Sequence, residues 1–172
     1  MTTSLTYLND TWSFYFHDPQ NNDWRTCSYE KLCDLTTAQD FWFLDTLLKD
    51  NTMKGMFFLM REHVFPCWDD ESNIKGGCIS IKVLKNDLPA FWQHLVALLL
   101  TENILVDSQK QNWNKVNGIS TSPKKHFCIV KIWIADTTIS DKDFFNIPTE
   151  YYGDIIYKSN LDNISLENQR KV

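Results

Sequence analysis

Six short runs of this chain alternate apolar and polar residues, and each is bounded by Gly, Pro, Asn or Asp. They are TWSFYFHD (11–18), RTCSYEKLCDL (25–35), GMFFLMREHVF (55–65), CISIKVL (78–84), HFCIVKIWIAD (126–136) and DIIYKSN (154–160). A period of two sends successive side chains to opposite faces, so such runs with short connections predict an antiparallel sheet. Two stretches carry the helical period instead. TTAQDFWFLDTLLKDN (36–51) starts with Thr37-x-x-Asp40, the pattern of a capping box. NDLPAFWQHLVALLLTEN (86–103) offers Asp87 as a cap, Pro89 in its first turn and apolar residues at 88, 91, 95, 98 and 99. A weaker third helix is read at DKDFFNI (141–147). The order β, β, α, β, β, α and then more β predicts an α+β fold. Its core is a single curved antiparallel sheet with about three helices on the convex face, leaving the concave face free. The 172 residues suit a single domain, 1–172, with 1–7 and 161–172 expected to be loose.

A formal charge of −5 gives the surface no general attraction for a polyanion, so any nucleic-acid site must be a local basic pocket. The five cysteines never form a CxxC pair, and no leader-like segment opens the chain, which predicts free thiols in a reducing cytoplasm. LVALLL (95–100) is far too short to span a bilayer, so no membrane partner is expected. The frequent Lys, Asn and Ile suggest an AT-rich genome; for a viral source the compartment would be the host cytoplasm. His17, His63 and His94 lack metal-ligand spacing and read as ordinary surface or boundary residues, and no metal or cofactor is expected.

The seven tryptophans carry the functional reading. Trp12, Trp92 and Trp133 lie in strand or helix patterns, as core or cavity wall. Trp24 and Trp68 do not: one sits in the polar turn HDPQNNDWRT, the other in FPCWDDESNIKGG (65–77) beside Asp69, Asp70 and Glu71. Trp113, in QKQNWNKVNG, is a third loop tryptophan without an assigned role. Two tryptophans on separate loops can close over a flat ligand, each stacking face contributing roughly 1–3 kcal/mol for a nucleobase. A cationic ring adds a cation–π attraction of up to about 2 kcal/mol when desolvated. A neighbouring carboxylate would accept from the ring's N–H edge. The ligand so described is an aromatic cation with donors on one edge and phosphates on its tail. A hydrolase built on Asp69, Asp70 and Glu71 is the contrasting reading. Consecutive side chains rarely converge on one site, and the chain has no nucleophile elbow or phosphate-cradling loop, so no catalytic residues are assigned.

The series LNDTWSFYF, NNDWRT, TAQDFWFLDTLL, FPCWDDESNIKGG, LPAFWQHLVALLL and IVKIWIAD resembles, in order and spacing, eukaryotic translation initiation factor 4E, from about Leu8 to Lys158. The resemblance implies a cap-binding translation initiation factor that is not an enzyme. Trp24 and Trp68 would sandwich 7-methylguanine, Asp69 would accept from its edge, and basic residues near the end of the sheet would hold the phosphates of capped mRNA. The chain departs from the family at the acid, which is ordinarily Glu, and at Cys78, ordinarily basic. Lys124 matches a phosphate-binding arginine, whereas the matching lysine is replaced by Ile129. Strand parity offers Lys131 in its place, on the side of Ile129 and Trp133. Lys124 and Lys131 are therefore expected at the phosphates, with Lys125 and His126 as second choices.

A second face is expected on the helices. Phe41, Leu44, Leu47 and Leu48 form one stripe, and Trp42 falls roughly 150° from its centre at about 100° per residue. An exposed helix tryptophan is a candidate hot spot for a partner. The resemblance implies that Trp42 receives a helical peptide of a factor 4G-like scaffold or of a repressor protein. Around it, Ala38 replaces a valine and Gln93-His94 a Leu-Glu pair, so the partner would be specific to the source. The expected state is a monomer within a multi-subunit initiation complex. The alternative is a cap-binding repressor that does not recruit the scaffold.

Overall fold

The computed structural model describes residues 4–170. Alternation becomes a sheet of seven strands: β1 (Tyr7–His17), β2 (Glu30–Thr37), β3 (Met56–Arg61), β4 (Gly77–Leu84), β5 (Val116–Pro123), β6 (Phe127–Ile134) and β7 (Ile155–Ser159). Their order is β2-β1-β3-β5-β6-β4-β7, and every neighbouring pair is antiparallel. The sheet is open and curled. One face carries Phe14, Leu59, Ile81 and Ile132 and is covered by α1 (Ala38–Leu48) and α2 (Leu88–Leu100) through Phe41, Leu44, Phe91, Leu95 and Leu99. Burial of this face, at about 25 cal/mol per Å² of apolar surface, is the main force holding helices to sheet. The opposite, concave face carries a smaller cluster of Tyr15, Phe58, Met60, Cys78 and Trp133.

Helix α1 starts with the capping box read from sequence. Asp40 N donates to Thr37 Oγ1 at 3.2 Å, and Thr37 N donates to Asp40 Oδ2 at 2.8 Å. Asp87 occupies the cap position of α2 without a side-chain bond to the helix. The stripe of α1 is narrower than expected: Leu47 is exposed, as is Phe43.

Three expectations change. Val116–Pro123, not among the six runs, is a central strand between β3 and β6. The stretch 141–147 forms only a three-residue 3-10 turn, Lys142–Phe144. The third helix is α3 (Asn160–Arg170), within the end expected to be loose; residues 1–3 and 171–172 of those expected loose ends lie outside the described residues. Helix α3 turns a polar side inward, with Asn160 and Asn163 buried.

Trp113 gains a structural role. The Arg61 guanidinium packs against the rings of both Trp12 and Trp113, at 4.9 and 4.7 Å from centroids that are themselves 6.0 Å apart. It pairs with Asp10 at 3.0 Å and donates to the carbonyls of Val116 and Trp113. Trp113 Nε1 also donates to Asp10, at 3.2 Å. Trp12, Trp92 and Trp133 are buried, as their patterns predict.

Candidate nucleotide-binding site

Two loops rise beside the concave face. The first joins β1 to β2 and is ordered by its own polar residues. Gln20 N donates to Asp18 Oδ1, Asp23 N to Asn21 Oδ1, and Arg25 N to Asp23 Oδ1. Such side-chain-to-backbone bonds build successive turns without a regular element. The Arg25 guanidinium, 2.7 Å from Asp23, holds that carboxyl at about 2. Trp24 stands between these two residues and is 45% exposed.

The second loop joins β3 to β4 and carries Phe65, Pro66, Cys67, Trp68 and Asp69. Three buried asparagines fasten it. Asn73 donates to the carbonyls of Phe65 and Cys67, each at 2.9 Å. Asn117 of β5 donates to Ser72 O at 2.7 Å and to Asn73 Oδ1 at 2.9 Å, and Asn160 of α3 donates to Asn73 O at 2.8 Å. The glycine pair completes the turn into β4: a Cβ on Gly76 would collide with the Ile134 carbonyl.

Tyr29 joins the two loops. Its ring centroid lies 6.4 Å from that of Trp24 and 5.0 Å from that of Phe65, edge-on to the latter. Burial pushes its hydroxyl pKa up, with Cys67, Asp69 and Glu167 of α3 adding to the shift. Asp69 is exposed, and Asp70 is half-buried and accepts from Ser72 N. Burial, and then a hydrogen bond with Asp69, pushes the Cys67 thiol up to about 12. Trp68 is half-buried, and Lys131 Nζ lies 5.6 Å from its ring centre. Trp133 forms part of the floor; its Nε1 donates to Ser120 Oγ at 2.9 Å.

The basic residues follow from strand register. Lys131 pairs with Ser80 on one side and Ser120 on the other, and points to the concave face with Trp133. Lys82 of β4 lies directly opposite Ile129 on that same face, with its Nζ 5.0 Å from the Phe127 ring. Lys124, Lys125 and His126 are exposed at the tip of the β5–β6 hairpin, about 13 Å along the strands from Lys131 at 3.3 Å per residue. Among the described residues, none of these four lysines is in an ion pair. The two loops and the concave face together carry stacking planes, an acid and lysines outside any ion pair among the described residues, which suits a flat cation carrying phosphates.

Sequence reasoning missed Tyr29, Lys82 and His17. Parity alone puts His17 in line with Tyr15, whereas the position of Lys82 opposite Ile129 depends on a register that only the fold supplies. His17 is no surface residue: it is fully buried.

On the helical side Trp42 is 60% exposed, and its ring centroid lies 5.0 Å from that of Phe41. Gln93 Nε2 donates to Asp45 Oδ2 at 2.8 Å, joining α2 to α1 one turn from Trp42. Ala38 is half-buried and His94 exposed.

Residues 7–165 match the family model described as Eukaryotic initiation factor 4E. The chain is 22% identical over 134 residues to eukaryotic translation initiation factor 4E of Eremothecium gossypii, covering 73% of this chain and 61% of that protein. It is 26% identical over 143 residues to the Candida albicans protein of that name, covering 75% and 64%. The matched stretches thus span less than two thirds of both relatives. Among solved structures, a complex of C. elegans eIF4E-3 with the 4E-binding protein Mextli and cap analog superposes with a TM-score of 0.78 at 19% identity, covering 94% of this chain and 96% of that one. At that identity the likeness establishes the shared fold.

Proposed function

Because the chain belongs to the eukaryotic initiation factor 4E family, we propose that it binds the 7-methylguanosine cap of mRNA as a translation initiation factor. Trp24 and Trp68 sandwich the methylated base, and Asp69 accepts from its N–H edge. Lys131 and Lys124 hold the phosphates, with Lys82 beside them and Lys125 and His126 further out. Trp133 closes the cavity wall. The observation that carries this reading is the bridge made by Tyr29, which brings the Trp24 loop and the Trp68–Asp69 loop together over one concave face. A cationic base between two indoles satisfies both stacking and charge, which explains tryptophans placed on polar loops.

Trp42, with Ala38, Gln93 and His94 around it, receives a helical peptide of a scaffold or repressor protein. The similar C. elegans structure, which holds a 4E-binding protein as well as a cap analog, supports a partner of this kind. The protein works in the cytoplasm and is not an enzyme. No helix of the described residues is long and apolar enough to cross a membrane. Tryptophan fluorescence titrated with 7-methyl-GTP and with GTP tests the reading. Saturable quenching at far lower concentration of the methylated nucleotide is expected, and equal affinity for the two would overturn it.

A further inference from the structure

His17 ends β1, and nothing in the cap reading uses it. Its ring lies under that of Trp24, with centroids 4.3 Å apart and planes 1° from parallel. Tyr29 closes a second side, at 4.8 Å and tilted 59°. His17 Nε2 is 2.9 Å from the carbonyl oxygen of Asp23, the residue immediately before Trp24. A carbonyl can only accept, so Nε2 carries a hydrogen and donates it. Among the described residues, Nδ1 is buried without a hydrogen-bond partner.

A buried ring nitrogen left unpaired costs stability, and an apolar ring at this position would avoid that cost. The imidazole supplies what an apolar ring lacks. It is a flat plate and also a donor, so one side chain holds the face of the indole and the backbone that leads into it. The Asp23–Arg25 pair fixes the loop on either side of Trp24. With one face against His17 and nearly half its surface exposed, the indole keeps its other face open.

We propose that His17 is the positioning residue of Trp24, holding the indole ordered and ready for a ligand before one arrives. Its consequence for cap binding rests on the function proposed above. A pre-ordered plate spares the ligand the cost of ordering it, and association is slowed when binding must first rearrange the site.

The test compares the parent with His17→Ala and His17→Phe, by stopped-flow fluorescence with 7-methyl-GTP and by near-ultraviolet circular dichroism without ligand. The dichroism of Trp24 is isolated by subtracting the spectrum of Trp24→Phe in each background. His17→Ala is expected to slow association and weaken affinity by about tenfold, and to flatten the Trp24 dichroism. His17→Phe, which keeps the plate but loses the donor to Asp23 O, is expected to fall between His17→Ala and the parent in each. An unchanged association rate and Trp24 signal in His17→Ala overturns the inference. So does a His17→Phe variant no better than His17→Ala. Failure of the parent to bind 7-methyl-GTP would instead strike the cap reading, and the ligand-free dichroism would still decide whether His17 orders Trp24.

Discussion

Lys131 reaches over Trp68, with Nζ 5.6 Å from the centre of the indole ring. In the cap site proposed above, a lysine there would touch both the base clamp and the path of the phosphate tail. Lys131→Ala should therefore reduce affinity for 7-methyl-GTP by about 1.5–3 kcal/mol, the range for hydrogen bonds to charged groups. The loss should shrink from triphosphate to monophosphate. Lys82→Ala and Lys124→Ala should also flatten the gain with phosphate number, and fluorescence titration of the mono-, di- and triphosphates measures it. A phosphate series unchanged in all three variants would remove these lysines from the site.

Trp24→Ala and Trp68→Ala each delete one stacking face and its share of the cation–π attraction. Each should cost about 2–4 kcal/mol of 7-methyl-GTP binding, read by isothermal calorimetry, with a smaller absolute loss for GTP. Near-parental binding by both variants would contradict the sandwich.

Asp69→Asn retains the size of the side chain but loses a charged acceptor, so cap affinity should fall by about 1.5–3 kcal/mol. The same substitution has a second readout through Cys67. That thiol sits at about 12, raised first by burial and then by the hydrogen bond with Asp69. A raised value means less thiolate at a given pH, and the thiolate is the nucleophile. At pH 8 Cys67 should thus resist alkylation, and Asp69→Asn should speed it by lowering the thiol's pKa. Mass spectrometry of iodoacetamide-treated protein follows the site, and an unchanged rate would mean that Asp69 does not act on Cys67.

Arg61→Ala should destabilise the fold by about 1–3 kcal/mol, the range for leaving a buried carbonyl without its donor. It removes a cation packed against two indoles and takes the donor from the carbonyls of Val116 and Trp113, while Asp10 keeps its bond from Trp113 Nε1. Urea unfolding measures it, and a loss under 1 kcal/mol on that roughly known scale would show the site collapsing without penalty.

Trp42→Ala should leave folding and cap binding intact, since the indole is mostly exposed and lies on the helical side. It should remove about 2 kcal/mol or more of binding to a helical partner peptide. A lowered melting temperature would make Trp42 a core residue instead.

Where burial follows hydrophobic alternation, the sequence is transparent: β3, β4, β6 and β7 and the cap of α1 all lie within or close to their predicted bounds, while β1 begins four residues earlier than its run. It is opaque where polar residues are buried by distant partners. In β5, Asn117 and Ser120 point inward because Ser72, Asn73 and Trp133 satisfy them, so no apolar stripe marks the strand. Helix α3 hides its inner face in the same way behind Asn160, bonded to Asn73. Local pattern carries no information about a partner that lies 87 residues away. The site shows the same division. Loop context singles out Trp24 and Trp68, and parity finds Lys131. Tyr29 falls in an alternating run whose pattern says nothing of the two loops it touches, and Lys82 depends on which strand lies beside β6.

The asparagines that tie down the Trp68 loop are uncharged, and so is every group they bind. Ionic strength has nothing there to screen. The screening length falls from about 10 Å at 0.1 M salt to about 3 Å at 1 M, which weakens the hold of exposed lysines on a phosphate tail. The jaw that carries Trp68 keeps its shape across that range. On the cap reading proposed above, affinity surviving in concentrated salt is therefore the stacking share, measured without altering a residue.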